Sequence, residues 1–230
     1  MTYQRDLSLT EFQLKSVTDT LVSFFVRRNL TSDPPTNALQ RLFISIIAEV
    51  AGMTGHDIVD AVQKRLRAVA SSDEAFHERL IGPLYNENVE VTRYILVALA
   101  RAGMTKETFT DLWEREGNHY RWTIEHILPQ GPNLPKDWLT MLGGAEIAST
   151  VQQQHVHRLG NLTITGYNST LGNKSFRSKK IRKDGNGNFV GFKNGLELNR
   201  DVVEASQWTA SEIEERTQRL ANRAIQLFPL

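Results

Sequence analysis

Apolar residues in the first half of the chain recur at steps of three and four. Leu14, Val17, Leu21 and Phe25 form such a stripe behind the capping-box spacing of Ser8-Leu9-Thr10-Glu11, which predicts a long amphipathic helix. Residues 37–50, stopped near Gly52, and residues 56–70 read as two more helices, and Ser72-Asp73-Glu74 caps a short fourth. Residues 89–102 are apolar on most sides, which predicts a buried helix ended at Gly103, and residues 105–116 complete the helical set.

Past Gly117 the texture changes. Residues 121–127 (RWTIEHI) have the β-branched, alternating character of a strand, and Pro129, Gly131, Pro132 and Pro135 then impose a loop. Residues 145–154 read as helix and residues 162–165 (LTIT) as a second strand. The turn Gly166-Tyr167-Asn168-Ser169 leads into a Lys/Arg-rich, partly helical segment, and residues 184–188 form a hairpin tip. The final helix is announced by a capping box, Thr209-Ala210-Ser211-Glu212, with Trp208 and Ile213 placed as a hydrophobic staple. The expected fold is mainly α with a small β component, with a helical scaffold over residues 1–118. A second domain, 119–230, is built on a strand–strand–helix finger.

Composition is that of an ordinary soluble domain, with 40% hydrophobic and 23% charged residues. No apolar run is long enough to span a bilayer and the first residues have no secretory pattern, so a membrane partner is not expected and the cytoplasm is the natural compartment. Cysteine is absent, so disulfides and thiolate metal sites are excluded. The net charge of +1 conceals an asymmetry: residues 151–200 carry nine Lys/Arg against two acidic residues. A basic segment in an otherwise acidic chain is what a phosphate-backbone footprint requires, because binding there releases counterions.

Hydrolysis of a phosphodiester needs a base to activate water and positive charge on the phosphate oxygens. Glu125-His126 ends the first predicted strand, where adjacent side chains can serve one site only if the strand ends and twists. Arg158-Leu159-Gly160-Asn161-Leu162 places an asparagine before the second strand, and Tyr167-Asn168-Ser169 places another before the basic segment. His56 and His77, without partner motifs, read as surface residues, and His155 as structural or exposed. Trp122 and Trp208 read as core, and Trp138, in the loop after the prolines, reads as either core or base-stacking.

The segments EHILPQ and HRLGNLTITGYNSTLGNKSF, with Lys179-Lys180 after them, resemble the carboxy-terminal nuclease domain of the GmrSD-type restriction enzymes of anti-phage defence, within the HNH, or His-Me finger, superfamily. The likeness is specific over residues 122–180 and looser at the terminal helix (Trp208, Ile213, Arg216, Leu220). The helical half, with Phe25-Val26-Arg27-Arg28, Tyr85 and Tyr94-Ile95-Leu96, is similar to the spacer preceding that nuclease.

The resemblance implies that His126 is the general base, its ordinary pKa of ~6.5 suiting proton transfer near neutrality. It implies that Asn161 fixes the loop and orients the His126 ring; His157, just before the LGN motif, reads either as a support of the site or as a helix cap. Glu125 with Asn168, or Asn173 in competition with Asn168, would bind one divalent cation, Mg²⁺ or Mn²⁺. Lys174, Arg177, Lys179 and Lys180 would contact the phosphates of DNA. The family's amino-terminal nucleotide-binding sensor has an Asp-Gly-Gln-Arg type motif that this sequence lacks, so the sensor is expected as a missing partner. The activity implied is metal-dependent DNA cleavage or nicking; the alternatives are a catalytically silent DNA-binding module coupled to that sensor, or a ribonuclease.

Overall fold

The computed structural model describes residues 9–167 and 171–230. Ser8, Asn168 and Ser169, which the sequence singles out, lie outside them. Among these described residues the fold is mainly α with two small antiparallel sheets. The chain packs into two compact units, one running up to Arg79 and including Ile225–Leu230, the other Leu80–Ala224.

The first unit holds α1 (Glu11–Thr31), α2 (Thr36–Val50), α3 (His56–Arg67) and most of α4 (Asp73–Leu80). Thr10 is the cap of α1: its side chain accepts from the Gln13 amide, and the Gln13 side chain accepts from the Thr10 N–H at 2.9 Å. Val17 and Leu21 of the expected series pack against the core of this unit, and the series continues to Phe24 in place of Phe25. Phe24 is fully buried, whereas Phe25 is half-exposed and stacks on Phe43. Arg27 shares the face of Phe24 and Leu30 and is drawn inside by the Phe228 carbonyl at 2.7 Å and Asp73 at 2.5 Å. Leu42, Ile46, Ile58, Val62 and Leu66 complete this core around Phe24.

In the second unit, α5 (Leu84–Glu87) precedes α6 (Val89–Arg101), which Asn88 caps and which is buried on most sides, as its composition predicts. The helix expected over 105–116 does not form. Thr105 and Trp113 give their amides to Thr108 and Asp111 side chains, a local alternative to the helical ladder, and β1 (Arg115–Glu116) turns at Gly117 (φ +61°) into β2 (His119–Tyr120). The Arg93 guanidinium of α6 lies over Trp113 and Tyr120 and donates to the Leu112 carbonyl, so tertiary packing overrides the helical pattern.

β3 (Thr123–His126) pairs antiparallel with β4 (Leu162–Thr165), opposing Glu125 to Thr163 and His126 to Leu162. Between them the expected proline loop contains a further helix, α7 (Lys136–Leu142), followed by α8 (Ala145–His155). Pro135 sits just before the first turn of α7, where its missing N–H costs nothing. Trp138 is therefore helical and fully buried, with its indole N–H on the Lys174 carbonyl at 2.9 Å. A 3₁₀ turn (Leu159–Asn161) precedes β4. After it come α9 (Phe176–Ile181), capped by Ser175, then α10 (Arg200–Glu204) and α11 (Ala210–Leu227). Of the predicted box at α11 one half is seen: Glu212 accepts from the Thr209 amide at 2.8 Å and from its hydroxyl at 2.5 Å. Ile127, Leu128, Trp138, Phe176, Trp208 and Ile213 form the core beneath the β3–β4 pair. No helix among the described residues is long and apolar enough to cross a membrane.

Candidate active site

At the end of β3 the chain turns, and consecutive residues Glu125 and His126 line one cavity of about 250 Å³ with Tyr85, Gly131, Asn173 and Lys179. Both side chains are nearly inaccessible, at 3% and 6% exposure. What turns the chain is Asn161. Its carboxamide donates to the carbonyls of Leu128 (3.0 Å) and Val156 (2.9 Å) and accepts from the Leu128 amide (2.8 Å) and the Trp208 indole (3.1 Å). Four bonds saturate an amide side chain. Asn161 is fully buried and holds the backbone just after His126; it does not line the cavity.

The glycine before it has a separate task. A Cβ at Gly160 would stand 2.1 Å from the Ile213 carbonyl oxygen and 2.7 Å from the Thr217 amide, so only glycine lets the 3₁₀ turn sit against α11. Arg216 of α11, itself buried, donates to the Gly160, Leu162 and Leu198 carbonyls (2.6, 2.8 and 2.9 Å) and pairs with Asp201. Burial pushes its pKa down to about 10, which leaves it charged at neutral pH.

His126 Nε2 meets His157 Nδ1 at 3.2 Å. The Tyr85 ring stacks on His157 (5.5 Å, 10°) and presents its edge to His126 (4.7 Å, 78°), while the Tyr85 amide donates to the His157 carbonyl at 3.2 Å. Burial first, then the charges of His157 and Lys179, push the His126 pKa down to about 3, and burial also lowers His157. Both rings are neutral near pH 7, so one donates its proton to the other's lone pair. Tyr85 is the residue that sequence reasoning missed as part of the site, since it stands in the helical half with no motif around it.

Lys179 departs from its expected place among the surface phosphate contacts. It is fully buried, and its ammonium donates to Glu125 Oε1 and to the His126 carbonyl, each at 2.6 Å. Residues three apart share a helix face, so Phe176 and Lys179 turn inward from α9 while Arg177 and Lys180 turn outward. Burial raises the Glu125 pKa and lowers that of Lys179, each shift opposed by the partner's charge. Lys174 and Arg177 are exposed and Lys180 is half-buried. Asn173 is exposed at the cavity rim, its amide donating to the Asn133 carbonyl. Asn168 lies outside the described residues.

The fold and site define a helical protein with a strand–strand–helix core, whose paired acid and imidazole lie against a basic helix. The family of GmrSD restriction endonucleases, C-terminal domain, matches residues 70–223, and the chain belongs to that family. Its function is accordingly related to that of restriction endonucleases. Comparison with curated proteins and with solved structures gave no match.

Proposed function

We propose that this chain is a metal-dependent endonuclease of the HNH, or His-Me finger, type that cleaves or nicks DNA. The observation that carries the reading is the convergence of Glu125, His126 and Asn173 on one cavity beside the basic helix α9, in a chain of this family. His126 takes the proton of the attacking water at Nδ1, with Nε2–H donated to His157 Nδ1. Its depressed pKa keeps it unprotonated at neutral pH, and an anionic phosphate entering the cavity raises it toward the range of an effective base.

The donor set suits a hard cation that retains several waters. Among the described residues there is no cluster of three His, Cys, Asp or Glu, so the protein's share is the free oxygen of Glu125 and amide oxygen from Asn173 or Asn168. Mg²⁺ or Mn²⁺ held there supplies positive charge to the phosphate oxygens. Arg177 and Lys174, exposed on the α9 side, contact the DNA backbone. A nucleotide-binding sensor, in the same protein or acting in trans, is the partner that licenses cleavage.

One observation favours a second reading, a DNA-binding module without activity: Lys179 already occupies Glu125 Oε1. Incubation of the chain with supercoiled plasmid and Mg²⁺ or Mn²⁺, with and without EDTA and beside His126→Ala, separates the two. EDTA-sensitive nicking that the variant lacks is the expected result. Plasmid retained uncut under every metal supports the silent module, equal cutting by both proteins removes His126 from the mechanism, and preferential cutting of a parallel RNA substrate redirects the reading to a ribonuclease.

A further inference from the structure

Helix α9 also lines a second cavity, of about 340 Å³, from which the nuclease reading so far takes only Arg177. Arg177, Lys180 and Lys193 converge on it, Met141 and Phe176 supply apolar wall, and Ser206 adds a hydroxyl. No carboxylate is among its lining residues, and no ion pair to any of the three cations is recorded among the described residues.

The convergence is built by the backbone. The segment after the 184–188 hairpin docks on the carboxy-terminal end of α9, with the Phe192 amide donating to the Lys179 carbonyl (3.0 Å) and the Lys193 amide to the Lys180 carbonyl (3.2 Å). Gly191 permits the approach, since a Cβ there would stand 2.0 Å from the Lys179 carbonyl oxygen. Lys193 is thereby held beside Lys180, and its charge adds to burial in lowering the Lys180 pKa. The Lys180 ammonium is fixed in turn by the Ala205 carbonyl at 2.5 Å and lies 5.2 Å from the Phe176 ring centre. Like charges held together without an acid are mutually repulsive, and an oxyanion between them relieves the repulsion.

We propose that this cavity is a second phosphate subsite, taking a backbone phosphodiester of the nucleic acid other than the one being cut, with Arg177, Lys180 and Lys193 as its donors. The subsite rests on the nuclease reading for its ligand and extends that reading to a residue, Lys193, outside the finger. Because α9 presents Lys179 to the catalytic cavity and Arg177 with Lys180 to this one, a single helix aligns the strand at two points.

Binding of a fluorescent 30-base-pair duplex, measured by anisotropy in EDTA over a salt series, tests the subsite without any cleavage. Lys193→Ala and Lys180→Ala should each weaken binding and make the log–log salt dependence shallower by about 0.9. Arg67→Ala, in the first unit, should leave the slope unchanged. If the cations only stabilise the end of α9, Lys193→Ala lowers the melting temperature and leaves DNA affinity and slope alone, which overturns the proposal. Inorganic phosphate that protects the protein thermally at fixed ionic strength, with duplex slopes unmoved by either substitution, assigns the cavity to free anion and overturns it equally. The plasmid assay fails or succeeds independently, so a silent active site and a missing subsite are told apart.

Discussion

Lys179→Met is the substitution whose consequence follows most directly from the structure. It keeps an unbranched side chain one atom shorter and removes the ammonium, leaving the Glu125 carboxylate buried against nothing that compensates it. The pair is inaccessible, with side-chain exposures of 0% and 4%, so solvent screening gives no relief. Removing one partner of such a pair costs about 3–5 kcal/mol. For a chain of this size that corresponds to a fall in Tm of roughly 6–20 °C. Glu125→Leu in the same chain should recover most of the loss, since an apolar pair of similar volume has no charge to desolvate. The pH dependence carries a sign. With its counter-charge gone, Glu125 has a folded pKa further above the unfolded value, so the native state binds the extra proton. The variant is then least impaired below about pH 4 and loses stability as pH rises through the folded pKa of Glu125. Thermal and urea melts of the four proteins in the double-mutant cycle, repeated between pH 4 and 8, supply the measurement. A cost below 1 kcal/mol for Lys179→Met, or no recovery on adding Glu125→Leu, would refute the argument that this ion pair holds helix α9 to the strand end.

Three further outcomes are expected. Asn161→Ala strips partners from the Leu128 amide and the Trp208 indole together, and should cost about 3 kcal/mol or more in urea melts while greatly reducing cleavage; a fully stable but inactive variant would move Asn161 from positioning into chemistry. Gly160→Ala forces its Cβ into the Ile213 carbonyl, so the variant should melt well below the parent, and a neutral effect would mean that the turn does not pack on α11 as observed. The folded pKa of His126, about 3, lies below the unfolded ~6.5, so its contribution to stability is complete above pH 6.5 and is lost as pH falls, by about 1.4 kcal/mol per unit. The imidazole resonances of His126 in the free protein should accordingly not titrate between pH 5 and 8, and a midpoint in that range would contradict its desolvation.

Much of the site was legible because its pieces are local. Glu125-His126 at a strand end, Asn161 before the second strand and a basic helix after it are all readable from short segments. Lys179 was recognised as important but assigned to the surface, because a run of two lysines does not announce which one a six-residue helix turns inward. Tyr85 and the partnership of His126 with His157 were not readable as geometry. Their contacts join stretches distant in the chain, and nothing in either stretch encodes the meeting.

The same division holds for the fold. Local pattern alone determined the helices α2, α3, α6 and α11, the short strand over residues 162–165 and the Glu212 contact to Thr209, since each depends on spacing and on side chains within four residues. Tertiary structure decided that residues 105–114 leave the helix to cover Arg93, that Pro135 opens a helix burying Trp138, and that Arg27 is buried on the face of Phe24. It also decided that Glu125 and Lys179 meet in the interior. A buried guanidinium or ammonium is tolerated only where carbonyls and carboxylates from remote segments converge on it, and that convergence is a property of the packed molecule.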